Sequence, residues 1–326
     1  MIDPVTRKEQ LLSAIATGGD IISPITREEM YLAYMAGDTS VALPEPITRK
    51  EQFLYQACLN GGGGGGTEIT DGIVVKARDA DGYATEVDFY GTVVEKDQFA
   101  TYRGIYYDGS SGMMRIEKVN FKNKVTALRE ACFKGAQKLK ELPDISNIYC
   151  PPVANYGTVG INCFRKCTSL TGTLVIPNNI ESIENGMFAA CSGITGVTTN
   201  ATRMAYQAFL ACTNLKTFYA PKMTAPTTGA YDQQLGNNPA LETVQLGSEG
   251  YGVDDVSGTI FKGCTQAALQ ITIYTTGAKA DTILAKCRNG ATNATIIIKA
   301  SEDTTYNDVA YAAGDTLITS TVEAAT

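Results

Sequence analysis

An aromatic, two residues, a cysteine, two residues and an aliphatic recur through the middle of this chain, and that phrase most limits what it can fold into. The clearest copies are Phe164-x-x-Cys167-x-x-Leu170, Phe188-x-x-Cys191-x-x-Ile194 and Phe209-x-x-Cys212-x-x-Leu215. Phe133…Leu139 and Leu235…Leu241 fit with Ala136 and Asn238 at the cysteine place, and Phe261-x-x-Cys264 is a shortened last copy. The leading positions lie 31, 24, 21, 26 and 26 residues apart. A period of that size means units that cannot bury their apolar face alone and must stack on their neighbours. Such stacking sets Phe on Phe, Cys on Cys and Leu on Leu, as internal columns. Cysteine suits a column as a small, buried, polarisable hydrophobe. The count of nine is odd, which rules out complete internal pairing and favours buried thiols.

Short extended pieces follow the aliphatic and end in Pro or Gly: Leu142-Pro143, Leu174–Pro177, Phe218–Pro221 and Val244–Gly247. Strands there would form a parallel ladder, coil on coil. Beyond residue 270, Ile271–Tyr274 and Thr295–Lys299 read as strands around a helix at Ala278–Arg288, with a further strand at Thr316–Ile318. Upstream, Ile73–Ala77 and Ala84–Tyr90 flank the hairpin turn Asp79-Ala80-Asp81-Gly82, and Val93-Val94 and Tyr102–Tyr107 continue the strand character. Over residues 125–275 the phrase resembles the BspA-type leucine-rich repeats, in which Phe-x-x-Cys-x-x-Leu is followed by a strand and Ile-Pro. The resemblance implies a right-handed repeat solenoid that serves as a recognition surface.

A second repeat opens the chain. Pro4-Val5-Thr6-Arg7-Lys8-Glu9, Pro24-Ile25-Thr26-Arg27-Glu28-Glu29 and Pro46-Ile47-Thr48-Arg49-Lys50-Glu51 each place Glu three residues after Thr, a capping box. Apolar residues with one-sided helical spacing follow, among them Leu12, Leu32 and Leu54. Helices of roughly 10 to 13 residues are marginal alone in water, so they need a surface to pack on. Six glycines, Gly61–Gly66, then form a spacer. These tandem phrases before a glycine-rich spacer resemble the N-termini of structural proteins from tailed phages and prophages of Gram-positive bacteria. That resemblance implies an arm that docks on a virus particle. Thr6, Thr26 and Thr48 would cap its helices, Leu12, Leu32 and Leu54 would face the particle, and Arg7, Arg27 and Arg49 would add polar contacts.

Composition excludes more than it suggests. Histidine is absent, which removes imidazole catalysis, Ser-His and Cys-His pairs and most zinc sites. A net charge of −7 argues against nucleic acid and anionic membrane as partners. No apolar run has the length of a membrane span, and no secretory signal is visible at the start. Cys163 and Cys167 have the spacing of two metal ligands on one helical turn, but nothing completes a site. Asp79-x-Asp81-Gly82 lacks the rest of a calcium loop. Neither a metal nor a cofactor is expected. The acid pairs Asp254-Asp255 and Glu302-Asp303 keep a carboxylate-based glycan hydrolase as an alternative. Tyrosine is abundant at 17 residues and tryptophan is missing, so surface tyrosines are the natural contact residues. Tyr219, Tyr231 and Tyr251 are the recognition candidates, the last two within segments Thr224–Gln234 and Ser248–Gly258 that are expected to project as loops.

The reading is an α/β repeat protein in five parts: a helical docking arm (1–60), a glycine linker (61–66), a β-rich cap (67–118), a leucine-rich-repeat solenoid (119–275) and a C-terminal cap and tail (276–326). Its expected role is that of a non-enzymatic phage virion protein, made in the host cytoplasm and carried on the particle. The arm would bind capsid or tail proteins, and the solenoid would bind a host-surface protein or glycan; self-association stays open. A purely structural assembly protein that binds no host molecule is the other alternative.

Overall fold

The computed structural model describes residues 72–80, 84–96, 98–99, 115–152 and 159–321. The arm, the glycine linker, Cys58 and the tyrosines at 102, 106 and 107 lie outside the described residues. An antiparallel hairpin comes first, β1 (Ile73–Arg78) and β2 (Ala84–Phe89), followed by β3 (Val93–Val94), β4 (Lys118–Phe121) and β5 (Ala127–Leu128). β4 lies parallel to β2 and β5 parallel to β3. Next come β6 (Gly172–Ile176), β7 (Ser182–Ile183), β8 (Ile194–Thr199), β9 (Arg203–Met204), β10 (Thr217–Ala220), β11 (Ala225–Pro226), β12 (Thr243–Leu246) and β13 (Gln270–Thr275). The chain closes with α1 (Ala280–Gly290), β14 (Thr295–Ala300), the hairpin β15 (Thr304–Tyr306) and β16 (Val309–Tyr311), and β17 (Thr316–Ser320).

The repeats led by Phe164, Phe188 and Phe209 each make one coil with three limbs: the Phe-x-x-Cys turn, a long strand (β6, β8 or β10) and a short strand (β7, β9 or β11). The long strands form one sheet in the order β17-β14-β13-β12-β10-β8-β6, parallel throughout except for β17, which runs antiparallel to β14. The short strands β7, β9 and β11 form a second parallel sheet. Of the expected α/β repeat class, the arm helices lie outside the described residues. Among the described residues the fold is mostly β, with α1 as its one α-helix, because the return limbs of the coils are turns. Helix α1 buries Ala280, Ile283 and Cys287, and Arg288 in its last turn bonds the Ala294 carbonyl and both the carbonyl and hydroxyl of Ser320. β14 continues the register of β13 residue for residue, so the sheet passes through position 275 without a break.

The phenylalanines stack as a column. Phe133, Phe164, Phe188 and Phe209 have ring centroids 5.3–5.5 Å apart and interplanar angles of 1°, 5° and 12°. Burying each ring contributes about 1.5–3 kcal/mol, with about 0.5–1.5 more from each aromatic pair. Leu235 interrupts the column, and Phe218 of β10 meets Phe209 edge-on at 5.3 Å.

The strandless turns are also joined coil to coil. The amide of each column residue donates to the next coil: Phe133 to Cys163 O, Phe164 to Met187 O, Phe188 to Ala208 O, Phe209 to Gln234 O and Leu235 to Ile260 O, at 2.8–3.0 Å. Two residues later Gly135, Lys166, Ala190, Ala211 and Asn237 do the same at 2.7–2.9 Å. Aiming those amides outward takes left-handed backbone on both sides of the aromatic. Asn162 and Lys166, Gly186 and Ala190, and Gln207 and Ala211 all have positive φ. Each non-glycine residue held there costs about 1–2 kcal/mol, which the buried inter-coil bonds offset.

The column cysteines do more than fill space. Cys167 Sγ donates to Phe133 O at 3.2 Å, Cys191 to Phe164 O, Cys212 to Phe188 O and Cys264 to Leu235 O at 3.1 Å. Asn238 holds the same post: its Nδ2 donates to Phe209 O at 3.1 Å and to Leu235 O at 2.9 Å, while its buried Oδ1 has no partner. A thiol there serves the Phe209 carbonyl without stranding an acceptor, and Leu235 O keeps its bond from Cys264. Asn238→Cys is therefore expected to raise stability by about 1 kcal/mol in urea unfolding; a lower midpoint would show that the amide is the better fit.

Candidate functional site: the outward face of the parallel sheet

Register fixes which side chains share the outward face. One row runs Thr173, Gly196, Thr217, Thr243, Gln270 and Thr295. The next outward row is Val175, Thr198, Tyr219, Gln245, Thr272 and Ile297. Between them Leu174, Val197, Phe218, Val244, Ile271 and Ile296 point into the core, the alternation of a sheet with one buried face. Gly196 has a local reason: a Cβ there would come within 2.8 Å of both the Thr173 and the Thr217 hydroxyl oxygens.

No residue of β6, β8, β10, β12 or β13 is ionisable at neutral pH. The face offers hydroxyls and amides, with Val175 and Tyr219 as its exposed apolar surface. Charges border it and are engaged. At the strand starts Lys216 pairs with Glu242 at 3.2 Å. At the strand ends Lys222 sits over the Tyr251 ring and Lys299 over the Tyr274 ring, each 5.6 Å from the centroid. At the β6 edge a groove of about 240 Å³ lies between Lys140–Leu142 and Thr173–Val175.

Of the three tyrosine candidates, Tyr219 lies on this face and Tyr251 at its rim, while Tyr231 stands away from it, 77% exposed. Tyr231 tips a tight turn in which the Gly229 amide donates to Asp232. Of the two segments expected to project, 228–231 and 249–251 are exposed, while the remainder is woven into the coils. Ala225–Pro226 is strand β11, the Asp254 amide donates to Thr224 O, the Val253 amide donates to Tyr274 O, and Val253 and Val256 are buried.

These repeats have known counterparts. The profile of the BspA type leucine rich repeat region matches in six copies over residues 106–233 and 141–268, which together span half of the chain. The chain belongs to the BspA-type leucine-rich repeat family. A solved structure titled a leucine rich cell surface protein from Faecalibacterium prausnitzii is similar at 15% identity, over 65% of this chain and 72% of that one, with a TM-score of 0.37. No curated protein matches the chain.

In this BspA-type chain the acid groups singled out in the sequence are tied to structural work. Asp254 and Asp255 do not face each other across a cleft; each pairs with a lysine of the C-terminal region, Lys279 and Lys286, at 2.6 Å. Asp303 accepts the Ala313 amide. Asp79 accepts from Arg115 at 3.1 Å. Among the described residues no three Cys, Asp or Glu side chains gather as a metal site. The nine arm residues singled out in the sequence lie outside the described residues. Sequence reasoning missed the threonine and glutamine rows, whose alternation with valines and isoleucines over β8 and β12–β13 was the available signal.

Burial keeps the thiols protonated in the folded chain. Burial pushes Cys212 and Cys287 up to about 12 and Cys264 up to about 11, against an ordinary 9.0, and raises Cys163, Cys167 and Cys191 too. A folded-state value above the unfolded one leaves stability intact below about pH 9 and erodes it above, as the unfolded chain releases protons the folded chain retains. Each thiol steepens the loss by about 1.4 kcal/mol per pH unit until its folded value is reached. The urea midpoint is expected to hold to about pH 8.5 and then fall, and Cys212→Ala should lessen that slope while lowering the midpoint at neutral pH. An unchanged slope in the variant would contradict this assignment.

Proposed function

We propose that this chain is a non-enzymatic structural protein of a phage particle. Its N-terminal arm holds the particle, and a leucine-rich-repeat solenoid presents the outward sheet face to an uncharged glycan on the host surface. The observation that carries the reading is the absence of ionisable side chains across five successive strands of an acidic protein. A charged polymer would find no counter-charge there, and a large apolar protein partner would find little apolar area beyond Val175, Tyr219 and Ile297. A neutral sugar chain matches it: hydroxyl and amide groups for its hydroxyls, and the Tyr219 ring for its apolar faces. The arm supports attachment to a particle, since three capped, one-sided amphipathic phrases are tethered by a glycine run.

Two changes separate the halves of the proposal. Replacing Leu12, Leu32 and Leu54 together with Asp should remove the protein from purified particles while the repeats stay folded by circular dichroism. Thr217→Lys with Thr243→Lys, two exposed neighbours in register, should leave incorporation and unfolding midpoint nearly unchanged and abolish adsorption to host cells. Adsorption of unaltered particles should vary little between low and high salt, since no ion pair is involved. If the lysine variant adsorbs normally, the face is not the contact; if particles lacking the protein adsorb normally but fall apart, its role is assembly alone.

A further inference from the structure

Cys132 and Cys163 each stand immediately before the column phenylalanine of consecutive coils, Phe133 and Phe164. Later coils hold Met187, Ala208, Gln234 and Ile260 at that post, so this is the one seam where the repeat sets cysteine on cysteine at it. Backbone bonds fix the stacking on both sides of the pair: Ala131 N to Ile161 O at 2.9 Å, Phe133 N to Cys163 O at 3.0 Å and Gly135 N to Arg165 O at 2.7 Å. The two sulfurs lie 3.2 Å apart, and both cysteines are buried. The other column thiols, of Cys167, Cys191, Cys212 and Cys264, are bonded to backbone carbonyls. Laterally hydrogen-bonded chains run about 4.7–4.9 Å apart, inside the range of about 4.4–6.8 Å between the α-carbons of a disulfide. Closing the sulfurs to a bond of about 2.05 Å asks for a movement of about 1 Å.

We infer that Cys132 and Cys163 form a disulfide between neighbouring coils when the protein meets an oxidising environment. One thiolate attacks a small-molecule disulfide such as oxidised glutathione, releasing one glutathione thiol and leaving a mixed disulfide. The second cysteine, as thiolate, displaces the remaining glutathione and forms the cross-link. The balance is two protein thiols and one external disulfide giving one protein disulfide and two external thiols. The seam it staples is the one where the sheet stops. β6 is the terminal strand, and among the described residues no strand of the preceding coil pairs with it. The coils there are held by their turns and by side-chain bonds such as Asn179 Nδ2 to Ile145 O at 2.9 Å. A bond across it constrains the unfolded chain over the longest interval between repeats. Oxidation is expected to be slow, because burial keeps the Cys163 thiol protonated and reaction awaits opening of the seam.

The test uses the full reduced chain, incubated with oxidised glutathione, quenched in acid and alkylated in denaturant. Mass spectrometry should then find seven labelled thiols of the nine present before oxidation. Trypsin, cutting after Arg129, Lys134, Lys140 and Arg165, should release Glu130–Lys134 joined to Glu141–Arg165, and fragmentation should find the alkyl label on Cys150 and the cross-link on Cys163. The oxidised chain should unfold at higher urea concentration than the reduced one. Cys191→Ser should still form the cross-link, and Cys163→Ser should not. Should Cys163→Ser fail to fold, peptide mapping of the unaltered chain decides alone. Nine labelled thiols after prolonged incubation, a glutathione adduct that never resolves, or a cross-link between any other pair would overturn the inference.

Discussion

Everything in this structure depends on how one coil bonds to the next where no strand can do it. A sheet brings its own ladder of hydrogen bonds, but each coil must also turn twice around a buried aromatic, and buried amides and carbonyls in those turns cost free energy if left unpaired. The chain solves this with left-handed residues flanking Phe133, Phe164, Phe188 and Phe209, which point amides at the coil ahead, and with a thiol that reaches a carbonyl in the coil behind. The turns thus become a second ladder with its own register, and the phenylalanine stack and the long sheet advance together, coil by coil.

That shared register underlies the proposed function. With the turns and the core fixing the coils, the outward positions of the long strands are the ones the proposed recognition would use. Here they are held by threonine, glutamine and tyrosine in two straight rows, with charged residues kept to the borders and paired there. The face is built by repetition, each long strand adding one residue to each row, as the proposed extended glycan would require.

Much of this was legible in the sequence because the columns are periodic. Phe164, Phe188 and Phe209 with their cysteines marked the coils, and β10, β12 and β13 lie where the extended pieces were expected. β8 was not foreseen: Gly196 breaks its β-rich character, and no Pro or Gly punctuates its end. β7, β9 and β11 are two residues each, too short to carry a period. The turn limbs were hidden because Ala190, Ala211 and Lys166 have no preference for the left-handed backbone they adopt; tertiary bonds impose it. The cysteines were read as hydrophobes, and their role as donors depends on a carbonyl one coil away. The uncharged face appears only once register is known, because alternation hides it among core residues.

Native-state hydrogen exchange tests most directly whether the turn ladder holds the stack. The amides of Phe164, Phe188 and Phe209, together with Lys166, Ala190 and Ala211, belong to no strand or helix, yet each donates across a coil boundary. They are expected to exchange as slowly as the amides of β10 and β12 and to open with them in one cooperative unit. Exchange at the rate of exposed turns, while the strands stay protected, would show that the sheet alone carries the fold.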